Sequence, residues 1–314
     1  MNYTASGTFK RGLATNVDQG VSADIAGLKG STVIYTGTAE DYGLDASGAP
    51  QGKTALDGVV IAYYLTLGGV SAYRLSGITE ITGSPRRDLI DLTNAANPYT
   101  LDVFIDGGGG NDTIWSGQGD DLLYGRTGSD SIWGGNGDDI IDGGDRYSEG
   151  YDDNLDSLYG GAGSDTIYGS NGDTIDGGAE DDIINVRSAS EDGILEGSIN
   201  GGAGYDEFQW NGDLGLSAYP STALSGVEQI HLNFGVIFAA DPDTAVNFDF
   251  TGVAFLDVWG VYGSDAGDVI EGPKSVSYGS EGESGRVILC LSGNDTINGG
   301  PEYEDIYGEA GEDL

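Results

Sequence analysis

Between Gly107 and Asn185 the chain repeats a nine-residue unit, Gly-Gly-x-Gly-x-Asp-x-(Ile/Leu)-x. Four copies run without a break: GGGGNDTIW from Gly107, SGQGDDLLY from Ser116, GRTGSDSIW from Gly125 and GGNGDDIID from Gly134. A fifth starts at Gly143, carries eight extra residues and ends at Tyr159. GGAGSDTIY follows from Gly160, then GSNGDTID from Gly169, one residue short, and GGAEDDIIN from Gly177. Each copy offers one apolar side chain at position eight, Ile114, Leu123, Ile132, Ile141, Leu158, Ile167, Ile175 or Ile184, and strand alternation points both its neighbours outward. One such residue makes no core. Every unit must therefore bury it against another coil, and the array is stable only collectively. Two units per coil predict an all-β parallel β-roll, a β-solenoid in which residues eighteen apart, such as Asp112 and Asp130, lie above one another.

The turn half of the unit points to a ligand. Glycines at positions one, two and four predict a turn that needs positive φ and close backbone approach, with carbonyl oxygens left bare. Gly107, Gly109 and the residue at position 116, where Ser116 stands in place of glycine, are candidate carbonyl donors. Position six adds a hard carboxylate oxygen. The repeat spacing places Asp112, Asp130, Asp156 and Asp173 on one ladder and Asp121, Asp139, Asp165 and Asp182 on another, so that neighbouring rungs clamp ions between them. Calcium takes six to eight such oxygens with tolerant geometry, whereas magnesium demands a tighter octahedron, so several Ca2+ ions are the expected cofactor.

This nonamer resembles the hemolysin-type calcium-binding repeat of the repeats-in-toxin family. The resemblance implies a calcium-stabilised parallel β-roll, export from a bacterium through a one-step type I secretion channel, and an extracellular or cell-surface address where abundant calcium triggers folding. Composition agrees with calcium-coupled folding. The chain carries 52 acidic and 12 basic residues, a net charge of −40, and between Leu101 and Asn185 its only basic residues are Arg126 and Arg146. Without cations such a stack repels itself, and ligand carboxylates converge only once folded. The same charge excludes nucleic acid as a partner, which needs basic patches. Asp residues outside position six, such as Asp120, Asp138 and Asp142, are expected to be solvated.

A single cysteine, Cys290, leaves no intramolecular disulfide. The N-terminus lacks the apolar core of a signal peptide, and the longest apolar run, Val59 to Leu67, is too short to span a bilayer. Residues 1–82 read as a β-rich N-terminal region, with strand-like runs at Ser31, Val59 and Ser71. Residues 83–185 form the calcium-binding roll, starting with a degenerate unit at Gly83 that places Asp88 and Ile90 in register. Residues 186–262 hold GGAGYDEFQ, with Asp206 at position six, and longer strands resembling the coils that bacterial surface-layer and adhesin proteins interleave with nonamers. Residues 263–314 form a second, degenerate array with Asp268, Asp295 and Asp313 at position six, weak units at Gly272 and Glu281, and Glu304 and Glu302 replacing Asp and Gly in the unit at Gly299. The array stops mid-repeat at Leu314, which reads either as a fragment of a longer chain or as a half-repeat completed by another subunit.

Catalytic signatures are lacking. His231 is the one histidine, so no multi-histidine zinc site is available, and its alternation with Ile230 and Leu232 is that of a structural strand residue. Asp-Asp pairs recur with the repeat and need no active site to explain them. Position nine is aromatic in most good copies, so Trp115, Trp133 and Tyr159 are expected to stack about 4.8 Å apart on one outer face, with Tyr124 and Tyr168 on the other. That row either stiffens the stack or receives a surface glycan or lipopolysaccharide. The expected function is a non-enzymatic, calcium-dependent structural module of an exported bacterial protein, of the surface-layer, filament or adhesin kind, with self-association through solenoid ends. The alternative is the calcium-binding secretion segment of a longer hydrolase or toxin.

Overall fold

A computed structural model describes residues 78–83, 87–93, 99–144, 154–188, 195–212, 216–218, 224–239, 243, 245, 247–277, 287–299 and 305–314, with short backbone stretches earlier in the chain. The described residues form strands and no helix, hence none long and apolar enough to cross a membrane. Most of the run at Ser31, most of the insertion in the fifth repeat, the first six residues of the unit at Glu281, and Glu302 and Glu304 lie outside the described residues. The chain divides into two compact units, residues 1–168 and 169–314.

In the first unit the strands alternate between two parallel ladders. One runs through Ile78–Thr82, Phe104–Asp106, Leu122–Arg126 and Ile140–Gly144, with Thr166 pairing onto the last. The other runs through Val59–Ala62, Leu89–Asp91, Thr113–Gln118, Ser131–Asn136 and Ser157–Ala162. Two nonamers thus make one coil, and position eight stacks on position eight: Ile132 pairs with Ile114 and Leu158, and Leu123 with Ile105 and Ile141. All six are fully buried. Each aliphatic side chain so buried contributes about 1.5–3 kcal/mol of hydrophobic free energy, which no single repeat could gain alone. The extra residues of the fifth repeat leave the register intact, because Ser131 still pairs with Ser157. Parallel stacking already includes Val59–Ala62 and Ile78–Thr82, upstream of Gly83. Antiparallel strands Lys29–Gly30 and Tyr35–Thr36 pair onto these two, and Tyr64–Leu67 and Val70–Arg74 form a hairpin.

The second unit keeps the parallel plan with longer coils. Thr174–Ala179, Ser198–Ala203 and Leu224–Ser225 form one ladder. Ile183–Ser188, Glu207–Gly212, Gln229–Ala239, Ala254–Tyr262, Val287–Leu289 and Asp305–Tyr307 form the other. Asn247–Asp249, Val269–Glu271 and Thr296–Asn298 form a third. A longer coil encloses a wider interior, and larger side chains fill it: Ile184 pairs with Phe208, Phe208 with Ile230, and Ile230 with Phe255. Phe250 meets Phe255 edge-on at 4.9 Å between ring centroids.

Candidate metal centre

The turns between strands carry the site. Positions two and four occupy the left-handed region, as at Gly108 (φ 100°), Gly110 (94°), Gly135 (116°) and Gly137 (120°). Position one does not, which corrects the expectation that all three glycines supply positive φ. Space is what position one requires. A Cβ on Gly107 would lie 2.6 Å from Asp112 Oδ2 and 3.0 Å from the Gly125 carbonyl oxygen. On Gly134 it would collide with Asp139 Oδ2 and come within 2.8 Å of the Gly160 oxygen, and Gly177 faces Asp182 Oδ2 and the Gly201 oxygen in the same way. Each of these α-carbons therefore opens onto a cradle formed by the carboxylate of its own repeat and a glycine carbonyl of the next rung.

A directional ladder fixes the carboxylates. The backbone N–H groups of Asp88, Asp112 and Asp130 donate to Oδ1 of Asp112, Asp130 and Asp156 at 2.7, 2.6 and 2.7 Å. On the opposite side Val103, Asp121 and Asp139 donate to Oδ1 of Asp121, Asp139 and Asp165, each at 2.8 Å. The two sequence-derived ladders are thus present in the first unit. In the second, Asp182 donates to Asp206 at 2.9 Å, Asp268 to Asp295 at 2.8 Å and Asp295 to Asp313 at 3.2 Å. Asp206 in turn donates to Glu228 Oε2 at 3.0 Å. Sequence reasoning missed Glu228. Its signal was Gly226-x-Glu228-x-Ile230, the tail of a nonamer with Glu in place of Asp. Asp88, seen only as part of a degenerate unit, is fully buried and joins the first ladder.

The second carboxylate oxygen is the chemically telling one. Oδ2 of Asp112, Asp139, Asp206 and Asp295 is buried with no hydrogen-bond partner among the described residues. Burial pushes the Asp112 carboxyl up to about 9 and that of Asp139 to about 8; ladder N–H bonds offset part of this, and neighbouring carboxylates add to it. Asp121 is raised by burial to about 6, restrained by the Ser116 hydroxyl and the Val103 N–H, and burial also raises Asp206 and Asp295. A buried carboxylate oxygen that lacks a donor, beside a carbonyl oxygen, is costly unless something positive completes it. The donors are hard oxygens throughout, which fits calcium better than a softer metal. No three His, Cys, Asp or Glu side chains converge as a metal cluster among the described residues, so an ion here must draw largely on backbone oxygens.

Other expected donors are placed as follows. Gly107 donates its N–H to the Tyr124 oxygen at 2.7 Å, and its own carbonyl faces Gly83 and Asp88 Oδ2. Gly109 forms a parallel bridge with Thr127. Ser116 is buried and its hydroxyl donates to the Gly134 oxygen. Asp173 Oδ2 accepts the Ser170 N–H at 2.7 Å, and both oxygens of Asp268 accept hydrogen bonds from Ser264.

Position five holds a further ladder. Asp120 and Asp138 are exposed as expected, yet Asp120 N–H donates to Asp102 Oδ1 at 3.1 Å, Asp138 N–H to Asp120 Oδ1 at 3.0 Å, and Ser164 N–H to Asp138 Oδ1 at 2.9 Å. Asp142, expected in solvent, is only 3 % exposed, in register between Tyr124 and Tyr168. The aromatic row stacks: Trp115 and Trp133 lie 5.1 Å apart between centroids, Trp133 and Tyr159 5.0 Å. Tyr124 meets Phe104 edge-on at 5.7 Å and lies under the Arg126 guanidinium at 4.6 Å. His231 sits between carboxylates of neighbouring rungs, with Nδ1 3.3 Å from Glu207 Oε1 and Nε2 3.6 Å from Asp257 Oδ2, a structural placement. Cys290 is buried, and its thiol is pushed by burial up to about 12, so it is unreactive.

Against known families, the RTX calcium-binding nonapeptide repeat matches in four copies, over residues 102–123, 116–145, 152–184 and 291–314. No curated protein and no solved structure matches the chain. The matched stretches include Asp112, Asp121, Asp130, Asp139, Asp156, Asp165, Asp173, Asp182 and Asp295. Repeats of this kind bind several calcium ions and form parallel β-rolls, which accounts for both the coil plan and the oxygen cradles: the matched stretches are hemolysin-type, RTX calcium-binding nonapeptide repeats.

Proposed function

We propose that the chain is a calcium-dependent structural or assembly module of an exported bacterial protein, of the surface-layer, filament or adhesin kind, whose position-six carboxylates and position-one carbonyls hold calcium. At the coarser level it is a calcium-binding structural module of the kind found in secreted proteins, and the repeat region itself is non-catalytic. The observation that carries the reading is the set of buried, donor-less Oδ2 atoms at Asp112, Asp139, Asp206 and Asp295 in a chain of net charge −40. Calcium supplies positive charge and open coordination for those oxygens. The protein's own part is to aim them: left-handed turns expose the carbonyls, and the Oδ1 ladder locks each carboxylate so that Oδ2 faces the cradle. Folding and binding are then one equilibrium.

Contact with a surface glycan or lipopolysaccharide and self-association through solenoid ends are part of this reading. Sugar rings stack on open aromatic faces, whereas Trp133 has Trp115 and Tyr159 on its two faces, so the row serves mainly to stiffen the roll and a glycan would meet ring edges. The test is reversible chelation. Protein stripped of calcium is expected to lose β circular dichroism and to regain it at millimolar calcium, the affinity class of extracellular modules. Unchanged spectra and melting after exhaustive chelation would refute the proposal. Light scattering across the same titration reads the association.

A further inference from the structure

The position-six carboxylates fall into two sets that the repeat does not distinguish. Where Oδ2 is buried without a partner, at Asp112, Asp139, Asp206 and Asp295, the residue at turn position two is left-handed: Gly108 (φ 100°), Gly135 (116°), Gly202 (115°) and Leu291 (49°). Among the described residues, two rungs carry serine at position two, Ser170 before Asp173 and Ser264 before Asp268. Neither serine is among the residues with positive φ. In both, the serine N–H turns onto the carboxylate of its own repeat: Ser170 N–H donates to Asp173 Oδ2 at 2.7 Å and Ser264 N–H to Asp268 Oδ2 at 2.6 Å. Ser264 adds its hydroxyl, which donates to Asp268 Oδ1 at 2.7 Å and accepts the Ala266 N–H at 3.1 Å. Ser264 is 0 % exposed and Asp268 1 %. Both oxygens of that carboxylate are occupied by charge-assisted bonds of the strong kind. An ion entering there would have to displace them.

We propose that the array contains open rungs, built on a left-handed turn and completed by calcium, and closed rungs, built on a serine turn and completed by the protein's own donors, with Ser264–Asp268 the fully closed case and Ser170–Asp173 a second. The inference rests on the reading that the open cradles hold calcium. Closed rungs give the stack points that are internally satisfied before any ion arrives. They also make the ion count smaller than the count of position-six carboxylates.

Calcium bound per full-length chain, measured by equilibrium dialysis with atomic emission, tests this with three variants. Asp139→Asn is expected to lose at least one ion, Asp268→Asn to lose none while melting at a lower temperature in saturating calcium, and Ser264→Gly to gain one. Loss of an ion in Asp268→Asn, or an unchanged count in Ser264→Gly, overturns the distinction. Should Asp268→Asn fail to fold, Ser264→Gly decides alone. Retention of every ion in Asp139→Asn would instead strike the parent reading of the open cradles, and the distinction with it.

Discussion

Replacing Asp112 by asparagine should change the sign of its effect with calcium. Asp112 is 1 % exposed, its Oδ2 has no hydrogen-bond partner among the described residues, and burial raises its pKa from 3.8 to about 9. At pH 7 the cation-free fold must therefore bury a charge or take up a proton. Taking up the proton costs about 1.4 kcal/mol for each of roughly three pH units, on the order of 4 kcal/mol. Asparagine has nearly the same shape, and its carboxamide oxygen is placed to accept the Asp88 N–H that Oδ1 now accepts at 2.7 Å. In chelator at pH 7, Asp112→Asn should thus stabilise the fold, by roughly 2–4 kcal/mol after allowance for relaxation of the site. In excess calcium the same change removes a charged ligand and should destabilise it. Urea titrations followed by far-ultraviolet circular dichroism, run in both conditions, give the two midpoints. Midpoints that move in the same direction would refute the argument that this carboxylate is positioned for a cation.

Protons should act in the same way on the unsubstituted protein. Because the folded-state values of Asp121, Asp139 and Asp112 are raised to about 6, 8 and 9, their stabilising contribution is fully present below about pH 4 and is lost progressively as pH rises from there through each of these values. Cation-free protein should accordingly show a falling urea midpoint from pH 5 to pH 8, while calcium affinity measured by calorimetry rises over the same window as protons cease to compete. Ile132→Ala, at a fully buried position between Ile114 and Leu158, should cost about 2–5 kcal/mol in calcium; Ile140→Ala, at a site 42 % exposed, should cost less than about 1 kcal/mol. Trp133→Ala breaks two stacked contacts worth about 0.5–1.5 kcal/mol each; it should abolish the near-ultraviolet aromatic signal of the row and leave the calcium-loaded fold intact.

Period and register were legible because a nonamer that buries one side chain has few ways to stack. Ile114, Ile132 and Leu158 fall where the repeat puts them, as do the aromatic row and both Asp ladders of the first unit. What escaped depends on local geometry that residue type does not encode. Position one needs glycine for room beside a carboxylate, a requirement invisible until Asp112 Oδ2 and the Gly125 oxygen are seen to converge there. Glu228 escaped because its longer side chain reaches the same N–H from a unit that departs from the pattern. Asp142 is buried although it occupies an outward position, since strand alternation says nothing of what stands on the adjacent rungs. Serine at position two reads as a tolerated small residue, whereas at Ser264 it reorganises the turn around Asp268.

The carboxylate ladder makes the stack vectorial. From Asp88 through Asp112 and Asp130 to Asp156, each buried donor N–H at position six takes its acceptor from the rung that follows it in sequence. Peeling a coil from the C-terminal side consequently strands a donor on the coil beneath, where the interior offers it nothing. Peeling from the N-terminal side instead frees the carboxylate acceptor and, one residue on, the N–H groups that bond the preceding rung, as Ser131 N–H bonds the Asp112 oxygen. The two directions of fraying therefore expose different groups: a position-six donor at one end of the ladder, a carboxylate oxygen open to a cation at the other.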